Sequence, residues 1–222
     1  MKRSVFVLFF VLLAVPVFAQ DFPKVEVFGG YSLMRADVPI EDLEISEGDI
    51  YIPELGDFAT ISNLDTSKFL KKGFTGSFTY NITSAVGIEA NFRYVKDDIV
   101  NFDLTYQGQT VSAGIKLRDI ALGAGPKFTY RNSSPLTPFA HALVGFDDVK
   151  LNASASFAGN SIDEEVDSHT GFGLTLGGGL DVSISEIITI RLIQADYYMS
   201  NHFEDTQNNF LLSFGVVFGL GK

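Results

Sequence analysis

Charged side chains recur at alternate positions of otherwise apolar segments: Glu26, Glu89, Arg93, Lys127, Asp181, Arg191 and Asp196, with His141 in the same setting. If these positions share one confined interior, their chemistry is mutual neutralisation, because an unpaired ion away from water is costly. The pattern predicts a salt-bridged plug; the alternative is a narrow ion path through pairs that rearrange. Catalysis is poorly supplied. The histidines are His141, His169 and His202, none at metal-ligand spacing, and no His-Glu-x-x-His helix exists. Ser168 and Ser200 stand near His169 and His202, but no nucleophile, base and orienting group can be assembled from them. No enzyme and no cofactor is expected.

A second charged feature differs in kind. From Ala36 to Ser67 the chain carries Asp37, Glu41, Asp42, Glu44, Glu47, Asp49, Glu54, Asp57 and Asp65, with no Lys or Arg. Clustered oxygen ligands can gather divalent cations or an external ligand. The stretch lacks an EF-hand spacing, and self-repulsion makes a solvated external loop the preferred reading.

The segment before these features is an address. Lys2 and Arg3 precede the uncharged apolar run Val5 to Val15. Pro16 breaks that run, and Val17-Phe18-Ala19 ends in the small-residue pattern of signal-peptide cleavage. Residues 1–19 are expected to be a secretory signal and residues 20–222 one β-barrel. The formal charge of −11 becomes more negative without Lys2 and Arg3, which argues against nucleic acid as a partner. With Cys 0 in an exported chain, no disulfide framework is possible. Phe 21 and Gly 21 suit pleated half-buried surfaces and crowded barrel interiors.

The elements that must position the charges show period-two alternation. Phe74, Gly76, Phe78, Tyr80 and Ile82 oppose Thr75, Ser77, Thr79 and Asn81. Val86, Ile88, Ala90, Phe92 and Tyr94 oppose Gly87, Glu89, Asn91 and Arg93. Phe172, Leu174, Leu176, Leu180, Val182 and Ile184 oppose a face of Gly, Thr175, Asp181 and Ser183, and Phe210 to Leu220 repeats the pattern. Val25 to Leu33, Ile120 to Arg131, Phe139 to Asp148 and Ile188 to Met199 complete eight strands; the segment from Phe139 is apolar on both faces. Short connections at Thr83-Ser84, Asn132 to Thr137 and Ser185-Glu186 alternate with long ones at Met34 to Lys72, Asp97 to Arg118, Lys150 to His169 and Ser200 to Asn208. The expected fold is all-β, an eight-stranded antiparallel up-and-down transmembrane β-barrel with short periplasmic turns, long external loops and periplasmic termini.

The bulky apolar face is nearly free of charge, and its opposite is Gly, Ser and Thr. Soluble proteins cover a solvent face with Lys and Glu, so the small polar face fits a lumen and the apolar face fits lipid. Phe74, Phe78, Phe92, Leu174, Leu176, Phe214 and Phe218 are expected to face lipid, with Tyr31, Tyr80, Tyr94, Tyr130, Tyr197 and Tyr198 near strand ends as interfacial aromatics. Unbroken alternation from Ile188 would turn Gln194 and Asp196 to lipid. A bulge near Leu192 or Ile193 turns them inward, within reach of Arg191, Lys127 or Arg93; the alternative is a rim position for Asp196 above the hydrocarbon, without a bulge.

On the signal Met1 to Ala19, the alternating Gly/aromatic strands and the closing strand Phe210 to Phe218, the whole chain resembles the outer-membrane β-barrel domain proteins, the OmpA-type eight-stranded barrels. Gly125-Pro126-Lys127-Phe128, Pro138 to Leu143 and Arg191 to Tyr197 are similar to stretches of porin-family barrels. The resemblance implies a Gram-negative outer-membrane location, outer-membrane lipid and the barrel-assembly machinery as partners, and no catalytic role. The chain departs from the terminal Phe of many such barrels by continuing past Phe218 to Lys222. Two functions follow: a structural or surface-interaction barrel with a plugged polar lumen and acidic external loops, or a narrow porin-like channel.

Overall fold

The computed structural model describes residues 22–37, 45–53, 56–157, 160–202 and 205–221, with the side chains at 201, 202 and 205 left out. The expected signal segment lies outside the described residues, as do Glu41, Asp42, Glu44 and Glu54. Ten strands are present: β1 (Val25–Arg35), β2 (Gly48–Ile52), β3 (Asp57–Thr66), β4 (Phe69–Asn81), β5 (Val86–Tyr106), β6 (Gln109–Thr129), β7 (Leu136–Phe157), β8 (Asn160–Ser183), β9 (Ile188–His202) and β10 (Asp205–Leu220). There is no helix among the described residues.

Eight strands close a ring in the order β1-β4-β5-β6-β7-β8-β9-β10, with β10 pairing back onto β1 from Val25↔Leu220 to Arg35↔Phe210. Closure pairs the backbone groups that lipid could not solvate. The other two strands form the hairpin β2–β3, which hangs on the far end of β5 through Thr60↔Thr105 and Ile61↔Leu104.

The long connections differ from the expected loops. They are largely sheet. β5 and β6 stay paired to Tyr106↔Gln109, where Gln107 and Gly108 both take positive φ (48° and 78°), the backbone of a tight hairpin turn. β7 and β8 stay paired to Phe157↔Asn160.

The reason is visible along β6. Near the short turns its outward residues are Phe128, Leu122 and Ile120, and its inward ones Lys127 and Asp119. Past Leu117 the types exchange faces: Ser112 and Thr110 share the outward parity, while Ile115, Ala113 and Val111 share the inward one. The first part suits lipid outside and the second suits water, so the same pleat fits two solvents. At the boundary, Met34, Ala36, Leu70, Val95, Ile99, Val100, Leu117, Val149 and Leu211 form a buried apolar cluster contributed by the β1 end, β4, β5, β6, β7 and β10. Apart from Ala36, each such side chain contributes about 1.5–3 kcal/mol by leaving water.

The bulge in β9 is present. Leu180 pairs with Ile193 and Asp181 with Arg191, leaving Leu192 unopposed, and the β10 register shifts at the same place. Leu192 and Ile193 both lie outward, 54% and 48% exposed, and Gln194 and Asp196 turn inward. The same phase turns Tyr198 inward, where it is buried. It is not an interfacial aromatic, which corrects that expectation; Tyr31, Tyr80, Tyr130 and Tyr197 are on the outside.

Candidate functional site: the lumen network

Period two brings the inward charges of β1, β5, β6, β7, β8 and β9 into one chain of contacts. At the short-turn end Glu26 accepts from Lys127 Nζ at 2.9 Å, from Arg131 and from Asn81 Nδ2 at 3.1 Å. Lys127 also lies 3.7 Å from Glu89. Glu89 meets Nδ1 of His141 at 3.0 Å, and Nε2 of His141 meets Asp196 at 2.9 Å. Gln194 donates to Asp196 at 2.6 Å and accepts from Arg191 at 2.7 Å. Arg191 closes the chain as a fork on Asp181, at 2.8 and 3.0 Å.

Two features hold this chain rigid. The Arg191 guanidinium lies between the rings of Phe28 and Phe139, 4.2 and 4.1 Å from their centroids. Cation–π contact on both faces offsets part of the desolvation that burial imposes. Phe139 explains why β7 reads apolar on both faces: it and Leu143 fill the lumen beside the charges. The missing side chain of Gly177 also matters, since a Cβ there would lie 2.0 Å from Asp196 Oδ1. On the β4–β1–β10 side the lumen is filled by hydroxyls, with Ser32 2.7 Å from Thr75 and 2.9 Å from Ser213.

Arg93 belongs to a separate cluster nearer the apolar layer. It donates to Asp119 at 3.0 and 3.3 Å and stacks on Tyr198 at 4.0 Å, and Asp147 acts electrostatically on both Arg93 and Tyr198. Asp196 turns inward but pairs with Nε2 of His141 and with Gln194, rather than with Arg191, Lys127 or Arg93 as expected; Arg191 reaches it only through Gln194. Asp119, Asp147 and Arg131 were not among the expected cluster. Asp119 shares the parity of Lys127, and Asp147 that of His141, so alternation alone turns both to the inner face.

In this arrangement the charged side chains hold one another in place. A carboxylate only accepts, so both His141 nitrogens are engaged and neither is left to act on a hydroxyl. His169 meets Asp167 at 3.0 Å on β8 and Ser200 stands opposite Gly173; the His202 side chain lies outside the described residues. Among the described residues no group of three His, Cys, Asp or Glu is placed to hold a metal ion.

A closed ring with an outward apolar band and an inward network of paired charges is a transmembrane β-barrel. The chain belongs to the outer membrane protein beta-barrel domain family, whose model matches residues 5–218. No curated protein matches it. Among solved structures it is similar to Ail of Yersinia pestis, crystallised in complex with the heparin analogue sucrose octasulfate: 18% identity, 89% of this chain and 100% of that chain, TM-score 0.48. Neisserial surface protein A matches at 16% identity over 90% of this chain and 100% of its own, TM-score 0.49. OprG of Pseudomonas aeruginosa matches at 12% identity over 91% and 98%, TM-score 0.44. The protein is an outer-membrane barrel in contact with outer-membrane lipid.

Proposed function

We propose that this protein is a structural or surface-interaction barrel whose lumen is closed, with the long hairpins and the acidic 36–67 stretch outside the cell and both termini and the short turns in the periplasm. Residues 1–19 serve as its export signal, and the closing strand β10 is the segment the assembly machinery reads. The observation that supports closure is a stack of two unlike barriers. An ion entering from the short-turn end meets the chain from Arg131 to Asp181, in which every charge is held by an opposite charge or hydrogen bond. Beyond it stands the apolar layer of Met34, Val95, Leu117, Val149 and Leu211. An apolar constriction gates by excluding water, so rearranging the salt bridges alone opens no path.

The test is conductance in a planar bilayer. The wild-type barrel is expected to give no discrete steps; a reproducible unitary conductance would overturn the plug and favour the channel. Orientation is tested separately by adding protease to intact cells. Cleavage is expected between Ala36 and Ser67 and not at Thr83-Ser84 or Ser185-Glu186, and cutting at those turns would invert the topology.

A further inference from the structure

Within a chain of net charge −11, cations gather on the outer surface at one level. Lys96 on β5, Arg118 on β6 and Lys150 on β7 occupy a single rung, Lys96↔Arg118 and Arg118↔Lys150, one step beyond the apolar positions Tyr94 and Ile120. Lys116 stands a step further out, opposite Asp98, and Lys72 of β4 lines the same cleft as Lys96. Like charges directly opposite on neighbouring strands destabilise a sheet. Acids temper most of the row: Lys72 meets Asp97 at 2.9 Å and Asp98 at 3.6 Å, Lys116 meets Asp163 at 2.9 Å, Arg118 meets Asp148 at 3.2 Å and Lys150 meets Glu165 at 2.6 Å. Lys96 makes no ion pair among the described residues, and it sits between two clefts. One, of about 250 Å³, is lined by Lys72, Tyr94, Lys96, Asp97, Asp98 and Lys116. The other, of about 120 Å³, is lined by Lys96, Lys116, Arg118, Asn152 and Asp163.

We infer that this rung is a docking site for the phosphate of a lipid headgroup, with Lys96 as its centre and Lys72, Lys116 and Arg118 around it. The placement selects the source. The cations face outward at the edge of the lipid-facing band, directly above the aromatic and aliphatic side chains against which acyl chains lie. A phosphate carried by a lipid therefore arrives at Lys96 with its chains already on Phe92 and Leu122. The distribution is one-sided. At the short-turn rim Lys24 is exposed but lies over the Phe22 ring, on the parity of the inward Glu26, and Arg131 is turned to Glu26. The inference rests on the proposed orientation only for which leaflet supplies the lipid; the site itself is independent of it.

The experiment uses the full barrel in symmetric vesicles of phosphatidylcholine doped with phosphatidic acid, with retained lipid read by native mass spectrometry. Enrichment of phosphatidic acid over its bulk fraction is expected for the wild type. Lys96→Gln should lower it about fivefold, the effect of one surface cation on an anionic lipid, and Lys72→Gln with Lys96→Gln and Lys116→Gln should abolish it. Lys96 holds no ion pair, so its variant keeps the heat-modifiable gel mobility of a closed barrel. Equal enrichment in wild type and Lys96→Gln, or an equal loss in Lys24→Gln, overturns the site. Displacement of the lipid by inorganic phosphate overturns the lipid as occupant in favour of free phosphate. Symmetric vesicles present the lipid to both rims, so a failure here is distinct from a failure of orientation in the protease experiment.

Discussion

Replacing Arg191 by Met probes the centre of the lumen. Its side chain is 0% exposed and that of Asp181 8%, so both charges are almost wholly out of water. The guanidinium holds Asp181 through two bonds at 2.8 and 3.0 Å and Gln194 through a third at 2.7 Å. Arg191→Met keeps much of the volume between Phe28 and Phe139 but leaves Asp181 buried without its partner. Removing one member of a buried pair costs about 3–5 kcal/mol, most of it the penalty of the orphaned charge. Adding Asp181→Leu removes that charge. The double variant should fall within about 2 kcal/mol of wild type, the remainder being the lost partner of Gln194. The chain has no Trp, so the assay is a urea titration of refolding into lipid vesicles read by the gel mobility of unheated samples. The reasoning is refuted if Arg191→Met costs less than about 1 kcal/mol, or if the double variant costs the sum of the two single ones.

Leu176→Arg, on the lipid face, should cost about 2–4 kcal/mol in the same titration, whereas Ser156→Arg, on the outer face of the β7–β8 extension, should cost almost nothing; equal costs would place both positions in one solvent. Leu117→Ala, in the apolar layer, should cost about 2–5 kcal/mol, and a cost near zero would mean that the layer is loosely packed. The Asp97 carboxyl is raised by partial burial, but hydrogen bonds from the Lys71 and Asp98 amides and from Lys72 outweigh this and hold it below its usual range. The stability it contributes is present above the ordinary Asp value and lost as pH falls through the lowered one. Protease resistance of the β4–β5 rim should therefore decline in acid for wild type, and Asp97→Asn should be weaker at neutral pH and flat across that range; a parallel decline in both would exclude Asp97 as the titrating group.

The barrel was legible because Phe74, Phe78 and Phe92 alternate with Thr75, Thr79 and Glu89, a contrast too large to be missed. The bulge was legible because only an extra residue reconciles Ile190 outside with Asp196 inside. The hairpin extensions were not, for a physical reason: beyond Leu117 and Val149 the faces exchange character and the contrast shrinks to Ala, Ser and Asn, which reads as loop. Asp119 stands one residue before the alternation that opens at Ile120, and Asp147 lies in the segment from Phe139, whose two apolar faces do not tell inside from outside. The β2–β3 hairpin hides behind the acids Glu47, Asp49 and Asp57, whose charge outweighs Ile50, Tyr51 and Phe58 in any composition-based reading.

The seam between β1 and β10 carries a consequence for time. Its register joins the two ends of the described chain, Val25 to Leu220 and onward to Arg35 and Phe210. Contacts so distant in sequence form slowly, because the whole intervening chain must be ordered before they can reward closure. Until they form, β1 and β10 each present an unpaired edge, and lipid offers that edge nothing. A partly wound barrel is therefore not a weaker barrel but an unstable one, and the molecule has no gradual route to its final state. Its rate of maturation is set where the ends meet, so lesions in β1 or β10 should delay insertion out of proportion to the stability they remove.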